Sequence, residues 1–419
     1  MKIDLRYGKD ELSLELPGDK VISVVEPELE RPELEPEDLL RSSLRQPVES
    51  EELSELVEDV GGGASVTVTL EDHTRPVPTG PLVDVLMEEL TDAGISREKI
   101  TFLIATGIHR DLKPAEMDEL RKLVGPEPKI VNHHANNKSE LIPVGDLTYP
   151  DGTTKELSVN RHLVSADISI LTGDVEFHQL FGYGGGAKSV LPGTADGESV
   201  RFNHSLLDLP EARAGNLNNP LREAAEKAAD LVGIDYSLNL VLNPDKEPLY
   251  CYSGDVHKSF RKAVAKVDEL YKVGFQDRAE LVIVEAGGHP KDIDLYQAQK
   301  GVENGLELLK PGGDMVLVAR CPDGWGSETF HRWIREADDI SDTFERIEDN
   351  FVIGGHKAYI YAKEKREAEL YLVSEMKEDK DLQKIFTPMS PGHLEEKAEA
   401  ASSISVLKLG SCTLPVRNG

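Results

Sequence analysis

Cysteine, aromatic residues and long apolar runs are all scarce in this chain of 419 residues. Its three cysteines (Cys251, Cys321 and Cys412) are too few and too scattered for a disulfide framework or a thiolate zinc site. No apolar run approaches the roughly 20 residues that a membrane-spanning helix needs. The alternating N-terminus is typical of a strand and not of a signal peptide. These absences favour a cytoplasmic enzyme that has no membrane partner.

Positive charge is also in short supply. The chain has 47 Lys and Arg against 77 Asp and Glu, which gives a formal net charge of −30. Nucleic acids and anionic lipids both select basic surfaces, so this balance argues against either as a partner. The acid is densest at residues 26–38, where several prolines disfavour a regular helix or a central strand. We interpret this segment as a solvated acidic surface.

The chain does contain a repeated alternation of strands and helices. Residues 65–70 and 100–105 have the β-branched, apolar pattern of strands, and residues 81–93 and 114–124 are predicted helices. This order is typical of a parallel sheet with helices on both faces. In such sheets, ligands bind outside the carboxyl ends of the strands.

A second pattern of the same kind begins near Gln276. Strands are predicted at 281–284 and 315–318, with a helix over 296–309 between them. The predicted fold class is therefore α/β, with two α/β domains and mostly parallel sheets. The predicted domains are an N-terminal one at 1–275 and a C-terminal one at 276–419.

The most informative segment is a glycine-rich loop after the predicted strand at 167–171. The loop, residues 172–193, contains two reactive side chains and a run of glycines: His178, Lys188, Gly184, Gly185 and Gly186. Glycines at this density cost backbone entropy, so they indicate positive φ angles or a close approach of the backbone to another group. We interpret the loop as a cradle for a phosphate-bearing group with a reactive amine at its end.

The same residues nearly match a different motif. Gly182–Ser189 resembles the phosphate-binding loop G-x-x-x-x-G-K-[ST]. However, Ala187 stands where that motif has Gly, and Pro192 with Gly193 interrupts the helix that should follow. A P-loop-like nucleotide-binding protein that holds a triphosphate at this loop is therefore the alternative prediction.

Two further predicted strands end in polar residues. Asp72 and Arg75 follow the first, where an Arg fork suits a carboxylate or phosphate, although a plain polar turn has the same composition. His109 follows the second, either as a general base that titrates near neutral pH or as an exposed or capping residue. Because these loops and the glycine-rich loop all follow strands, one site can collect all three.

Two more features lie outside those loops. His204 follows Lys188 along the chain, and imidazole suits nickel, copper and zinc, although one histidine does not make a metal site. Tyr296 and Lys300 are four apart and share a face of a predicted helix. That face is either solvated or a polar patch over a cleft between domains.

Taken together, these residues resemble the nickel-dependent lactate racemase family. Each matching piece is short, and their order and spacing make the resemblance specific. The pieces are Asp72-His73-Thr74-Arg75-Pro76, Ala105-Thr106-Gly107-Ile108-His109-Arg110, His178 with Gly184-Gly185-Gly186-Ala187-Lys188, His204, and Tyr296-Gln297-Ala298-Gln299-Lys300.

The resemblance implies a racemase or epimerase that inverts C2 of a small 2-hydroxy acid, with its site in the cleft between the domains. The family's cofactor is a nickel-pincer nucleotide, a pyridinium-3-thioamide-5-thiocarboxylic acid mononucleotide that carries nickel. Catalysis would proceed by reversible hydride transfer to this cofactor through a 2-keto acid. Dedicated cofactor-biosynthesis proteins mature the family's members, so they are implied as partners.

The resemblance also implies the cofactor residues of this chain. Lys188 would carry the nucleotide covalently, with the glycine run beside it. His204 would be the nickel ligand. The remaining residues that support the cofactor and the site would be Gly184, Gly185, Gly186, Asp72, Tyr296 and Gln297.

The implied catalytic residues are of two kinds. His109 and His178 would be a pair of acid/base groups, since each enantiomer presents its hydroxyl to a different side. Arg75 and Lys300 would hold the carboxylate and hydroxyl of the substrate. A family member that binds the nucleotide and has lost catalysis is a third hypothesis, which the presence of both histidines disfavours.

One region differs from the family. Lactate racemases carry a Trp near the active site in the second domain, whereas the corresponding residues here, 351–358, contain none, and Trp325 and Trp333 lie upstream. A replacement at this position leaves room for another side chain on the substrate. A larger or more polar 2-hydroxy acid, such as malate, an aryl-lactate or a sugar acid, is therefore as well supported as lactate.

Overall fold

The computed structural model describes residues 1–72, 75, 77–349 and 351–418. Short strands run through the whole chain. In chain order they are β1 (Lys2–Tyr7), β2 (Asp10–Glu15), β3 (Val21–Val25), β4 (Val66–Leu70), β5 (Ile100–Ile104), β6 (Lys129–Asn132), β7 (Leu141–Thr148), β8 (Thr154–Asn160), β9 (Ile168–Asp174), β10 (Phe177–His178), β11 (Gly182–Tyr183), β12 (Tyr236–Leu242), β13 (Pro248–Gly254), β14 (Lys272–Phe275), β15 (Ala279–Glu285), β16 (Leu309–Val318), β17 (Glu369–Val373), β18 (Thr387–Pro388), β19 (Ile404–Leu407) and β20 (Leu414–Arg417).

Helices alternate with these strands. They are α1 (Pro36–Arg45), α2 (Leu53–Val60), α3 (Thr79–Asp92), α4 (Pro114–Val124), α5 (Arg161–Val164), α6 (Gly197–Ser205), α7 (Pro220–Val232), α8 (Val256–Tyr271), α9 (Leu295–Leu306), α10 (Glu328–Glu336), α11 (Asp342–Asp349), α12 (Gly355–Glu367) and α13 (Pro391–Ala400). Within the described ranges, none of these helices is both long and apolar enough to cross a bilayer.

The chain forms two compact units. The continuous unit comprises residues 29–269, and the divided unit comprises residues 1–28 together with 270–419. The sequence placed the boundary after residue 275 and put the first residues in the N-terminal domain. The structure differs at the N-terminus because β3 pairs in parallel with β19, so the first residues join the sheet of the C-terminal part.

The continuous unit is built on a six-stranded sheet with the order β13-β12-β9-β4-β5-β6. The strands from β12 to β6 are parallel, and β13 runs antiparallel to β12 at one edge. Every residue of β4, β5 and β9 is buried, as expected for parallel strands that are covered on both faces. The neighbouring carboxyl ends of β9, β4 and β5 bring together the loops that the sequence singled out.

The divided unit has its own sheet, with the order β18-β17-β16-β15-β19-β3. All strand pairs within this six-stranded sheet are parallel. A core of aliphatic side chains from β15, β16 and β19 also includes Ile3, Leu5 and Leu14 from the first hairpin. The predicted α/β class with mostly parallel sheets is therefore confirmed.

The acidic segment differs from its prediction in one place. Residues 26–35 belong to no regular element, but Pro36 opens α1, so the end of the segment is helical. Proline is tolerated in the first helical turn because its missing N–H would have no partner within the helix. The acidic residues Glu37 and Asp38 lie in that first turn, where they complement the helix dipole.

Candidate functional site

The glycine-rich loop begins with a small hairpin in which β10 pairs antiparallel with β11. The backbone N–H groups of Leu180 and Phe181 donate to Nδ1 of His178 at 3.2 and 3.3 Å. The side-chain amide of Asn219 donates to the carbonyl of Leu180 at 2.8 Å. The His178 ring therefore closes the turn that follows it, and its orientation is set by backbone groups.

The next part of the loop is held by Arg222 of α7. This side chain is completely buried, and its guanidinium donates to the carbonyls of Tyr183, Gly184 and Gly185, at 3.1 Å for Gly185. It also lies over the ring of Phe260, at 4.5 Å from the centroid. Burial lowers the pKa of Arg222 to about 9. No feature of the sequence indicated this role of Arg222.

The glycines are required by close approaches within the protein. Gly185 has a φ of +70°, and a Cβ there would lie 2.7 Å from the carbonyl oxygen of Asp174. Gly186 has a φ of +57°, and a Cβ there would lie 2.8 Å from the ring of Phe260. The predicted close approach of the backbone is therefore present, and the neighbouring groups belong to this chain.

Lys188 lies at the end of the loop in a 3₁₀ turn, Gly186–Ser189. Its Nζ is 4.9 Å from the centroid of the Phe181 ring. Burial lowers the pKa of Lys188 well below its usual value, and the charges of Arg75 and Arg222 lower it further. The arrangement favours a neutral amine, which is the nucleophilic form of lysine.

The backbone after this turn bears on the P-loop alternative. Residues 191–194 form turns, and the next helix, α6, does not begin until Gly197. A P-loop needs a helix that starts directly at its lysine, because the helix N-terminus contributes N–H groups to the phosphates. The structure therefore does not favour a triphosphate site at Gly182–Ser189.

His204 lies near the end of α6. Its Nδ1 is 2.9 Å from the carbonyl of Val200, so this nitrogen donates and the lone pair of the neutral ring is on Nε2. Burial lowers the pKa of His204 to about 4, so the ring is neutral at ordinary pH. Histidines that bind metals are commonly oriented in this way, with the second nitrogen donating to a carbonyl.

The ring of Phe181 connects these side chains. Phe181 is completely buried. Its centroid lies 5.4 Å from the ring of His178 and 5.4 Å from the ring of His204, in addition to its contact with Lys188. The structure therefore brings the predicted cofactor lysine, the predicted metal ligand and one predicted acid/base histidine around a single aromatic side chain.

The other predicted histidine, His109, lies in the loop that follows β5. Nδ1 of His109 is 2.6 Å from Oδ2 of Asp72, whose side chain is 3% exposed while that of His109 is 39% exposed. The backbone N–H of Gly107 donates to the carbonyl of Gly193 at 2.8 Å. This bond connects the His109 loop directly to the glycine-rich loop.

Arg75 also lies in this part of the continuous unit. Its Nη1 is 2.7 Å from Oε1 of Glu176. Burial opposes its charge, but the carboxylates of Glu176 and Asp174 raise the pKa of Arg75 above its usual value. Glu71 lies beside them, and burial together with the Asp174 carboxylate raises its pKa well above the usual range. His73, Thr74 and Pro76 of the predicted motif lie outside the described residues.

A cavity of about 200 Å³ opens beside His109. It is lined by the loops after β5 and β6, and its side chains include two histidines that the sequence did not single out, His133 and His134. His134 is partly exposed and is bound between Asp111 and Glu140. His133 is buried and supports the wall of the cavity.

The remaining predicted residues, Tyr296, Gln297 and Lys300, lie on α9 of the divided unit. Asp294 caps this helix by accepting from the backbone N–H of Gln297 at 2.8 Å. The ring of Tyr296 contacts that of His356 at 6.0 Å, in the segment that lacks the family's Trp. Their role in the site stays a prediction.

The fold and the candidate site together define a class of protein: a two-unit α/β protein with a buried lysine and several histidines in the loops that follow parallel strands. Comparison with known proteins then identifies the family. Residues 7–215 match the lactate racemase N-terminal domain, and residues 275–407 match the lactate racemase C-terminal domain. This chain belongs to the lactate racemase family.

Comparison with individual proteins supports the same family. A lactate racemase of Thermoanaerobacterium thermosaccharolyticum is 31% identical over 352 residues, which cover 82% of this chain and 80% of that protein. A lactate racemase of Lactiplantibacillus plantarum is 31% identical over 346 residues, 80% of this chain and 79% of that protein. The structure of the lactate racemase apoprotein from T. thermosaccharolyticum superposes with a TM-score of 0.88 at 28% identity, covering 99% of this chain and all of that one.

Proposed function

We propose that this protein inverts C2 of a small 2-hydroxy acid by reversible hydride transfer through a 2-keto acid, with a nickel-pincer nucleotide attached to Lys188. The observation that carries the proposal is the group of side chains around Phe181. There, a lysine whose pKa is lowered by burial and a histidine with its lone pair on Nε2 lie against one ring.

The residues present fit this cofactor. A neutral Lys188 amine is suited to form an amide-type link to a carboxyl-derived group. Imidazole is a suitable nickel ligand, and the bond from Nδ1 of His204 to Val200 leaves Nε2 as the coordinating atom. The bound cofactor would supply a hydride acceptor beside C2, which no protein side chain can provide.

The side chains of this chain would supply binding and proton transfer. Arg75 would bind the substrate carboxylate, since the neighbouring carboxylates keep its guanidinium charged. His109 would take the hydroxyl proton, and the buried Asp72 would stabilise the imidazolium that forms. Lys300, Tyr296 and Gln297 stay proposed substrate-binding residues, as the family resemblance implies.

Lactate and larger or more polar 2-hydroxy acids are equally supported as the proposed substrate. The segment at 351–358 has no Trp, and His356 occupies the position beside Tyr296. A polar ring there would suit a polar or larger side chain on the substrate. A racemisation screen over lactate, malate, aryl-lactates and sugar acids would identify the substrate.

The cofactor is tested by intact mass and metal analysis of the protein after co-expression with the cofactor-biosynthesis proteins. We expect a nucleotide-sized adduct and about one nickel per chain. The Lys188→Arg variant, which keeps a cation of similar length, should have no adduct. The His204→Ala variant should keep the adduct and lose the nickel.

Two outcomes would overturn the proposal. One is an unmodified, nickel-free chain from a host in which a known lactate racemase is loaded. The other is a loaded protein in which His109→Ala and His178→Ala variants racemise the identified substrate at the normal rate, since removing a general base typically costs about 10²–10⁴-fold.

A further inference from the structure

Arg75, the residue proposed to bind the substrate carboxylate, is already paired with an acidic side chain of its own unit. Its Nη1 donates to Oε1 of Glu176 at 2.7 Å, and both side chains are mostly buried. A guanidinium has five N–H donors in a planar fork, so it can bind two carboxylates at once. A substrate carboxylate on Arg75 would therefore share the guanidinium with Glu176.

Three more acidic side chains lie near this ion pair, at the carboxyl ends of β4 and β9. Asp72 and Asp174 are almost completely buried. Glu71 extends over Gly173, where a Cβ would lie 2.9 Å from its Oε1. Its Oε2 accepts from the backbone N–H of Asp174 at 3.4 Å. Together with Glu176, these side chains place four acidic groups close enough to Arg75 to stabilise its charge.

The balance of charge in this group is negative. Burial and the Asp174 carboxylate raise the pKa of Glu71 well above its usual range, so Glu71 keeps its proton. The other three acidic side chains outnumber the single positive charge of Arg75. Lys188 adds no charge, because burial lowers its pKa and because the amide-type link of the proposed function is neutral.

Two other cationic side chains in this part of the continuous unit have partners of their own. The guanidinium of Arg222 is bound to carbonyls of the glycine-rich loop, and Glu226 favours its charge. The ring of His134 lies between Asp111 and Glu140. Neither group therefore offsets the negative charge around Arg75.

We infer that Glu176 is a specificity-determining residue: it restricts the substrate to 2-hydroxy acids with an uncharged side chain and excludes dicarboxylic acids such as malate. This inference rests on the proposed function and narrows its substrate class. The carboxylate beside C2 binds Arg75 next to Glu176, and a second carboxylate would add negative charge to a group that already has an excess of it. Like charges at a partly buried site cost binding free energy.

The same restriction applies to both enantiomers. Charge repulsion acts through space and falls off slowly with distance, so it does not depend on which face of C2 carries the side chain. A contact with one face would discriminate between the enantiomers, whereas the charge around Arg75 disfavours a dicarboxylate in either configuration.

The test compares two ligands that differ in one charge. Malamate, the monoamide of malate at the carboxyl group remote from the hydroxyl, has nearly the size and shape of malate and lacks its second negative charge. Isothermal titration calorimetry of the loaded, full-length protein measures the affinity for each, in both enantiomers. We expect malamate to bind at least about tenfold more tightly than malate. Equal affinities, tighter binding of malate, or no binding of malamate would overturn the inference.

Variants of Glu176 assign the selectivity to this residue. Glu176→Gln keeps an oxygen that can accept from Arg75 and removes the charge, so the two affinities should come within about threefold of each other, mainly through tighter binding of malate. Glu176→Asp keeps the charge and should keep most of the selectivity. Glu98→Gln, at an exposed site before β5 and at the opposite end of the sheet, is the control with the same change in net charge. Thermal unfolding curves verify that the variants are folded.

The outcomes separate this inference from the proposed function. A wild-type ratio of affinities in Glu176→Gln would overturn the role of Glu176 and leave the proposed function in place. Malate as the fastest substrate in the racemisation screen would do the same. A loaded protein that binds malamate and inverts no 2-hydroxy acid would refute the proposed function, and the ratio of affinities would still decide the role of Glu176.

Discussion

His133 should make the continuous unit sensitive to mild acid. This residue follows β6 and is 1% exposed. Its Nε2 lies 2.8 Å from the carbonyl of Ala195, and its Nδ1 accepts from the side-chain amide of Asn160 at 3.2 Å. Both nitrogens are thus satisfied in the neutral ring, and a second proton would replace the bond from Asn160 with a repulsive contact. Burial lowers the pKa of His133 to about 4.

The sign and size of the effect follow from this shift. The pKa in the folded state lies below the value of 6.5 for a free histidine, so the unfolded chain binds more protons between these two pH values. The stability contributed by the neutral ring is complete above pH 6.5 and is lost as the pH falls towards 4. A shift of this size corresponds to about 3 kcal/mol in total. Lowering the pH from 7 to 5 should remove about 2 kcal/mol of it.

The assay must report on the continuous unit, and both tryptophans, Trp325 and Trp333, lie in the divided unit. Hydrogen exchange of the β5 and β6 peptides in urea at the two pH values is therefore the appropriate measurement. His133→Gln removes the titration and should lose less stability than wild type between pH 7 and 5, by about 2 kcal/mol. His393→Gln, at an exposed site in the divided unit, is the matched control. Equal losses in wild type and His133→Gln would refute the reasoning.

Protonation of His133 should also affect the candidate site around His109. The hydroxyl of Thr106 donates to the carbonyl of His133 at 2.8 Å, and the backbone N–H of His109 donates to the carbonyl of Thr106 at 2.9 Å. Opening at His133 should therefore loosen the loop that presents the proposed base. Exchange at His109 should increase together with exchange in β6.

Two further predictions concern the glycine-rich loop. Gly185→Ala places a Cβ 2.7 Å from the carbonyl oxygen of Asp174 at a φ of +70°, so we expect a loss of at least about 1–2 kcal/mol in unfolding free energy. The control is Gly63→Ala, which has no atom within 4 Å of its Cβ and should change the unfolding free energy by less than about 0.5 kcal/mol. Similar values for both variants would contradict the steric argument. Arg222→Met removes the buried donor of three loop carbonyls, so it should lower the unfolding free energy by about 3 kcal/mol and reduce adduct formation on Lys188. Normal loading and stability in Arg222→Met would show that the loop does not need this support.

Much of the fold could be predicted because local signals were strong. The helix predicted at 114–124 has the bounds of α4, since Pro114 marks its first turn and Gly125 follows its last residue. The fully buried strands β4 and β5 were recognised from continuous β-branched and apolar residues. The placement of polar residues directly after those strands then indicated the edge of the sheet where the candidate site lies.

The rest depended on contacts that a sequence does not display. Phe181 is one apolar residue in a loop, and nothing in the sequence indicates that three reactive side chains meet around it. Arg222 lies in an alanine-rich helix, and arginine side chains are mostly exposed, yet this one is completely buried. The partner of Arg75, Glu176, lies 101 positions further along the chain. Such pairings become visible only when the strands are in register.

The division of the chain into units also sets an order in time. Residues 29–269 leave the ribosome as one uninterrupted segment that carries both Lys188 and His204. The divided unit must wait, because Ser23 of β3 contacts Ser405 of β19, 382 positions later. At roughly 5–20 residues per second, the last 150 or so residues take roughly 8–30 s to synthesise. Throughout that interval, the unit with Lys188 can be complete while the other unit is still being made, so under the proposed function the maturation proteins would have a period in which to reach Lys188.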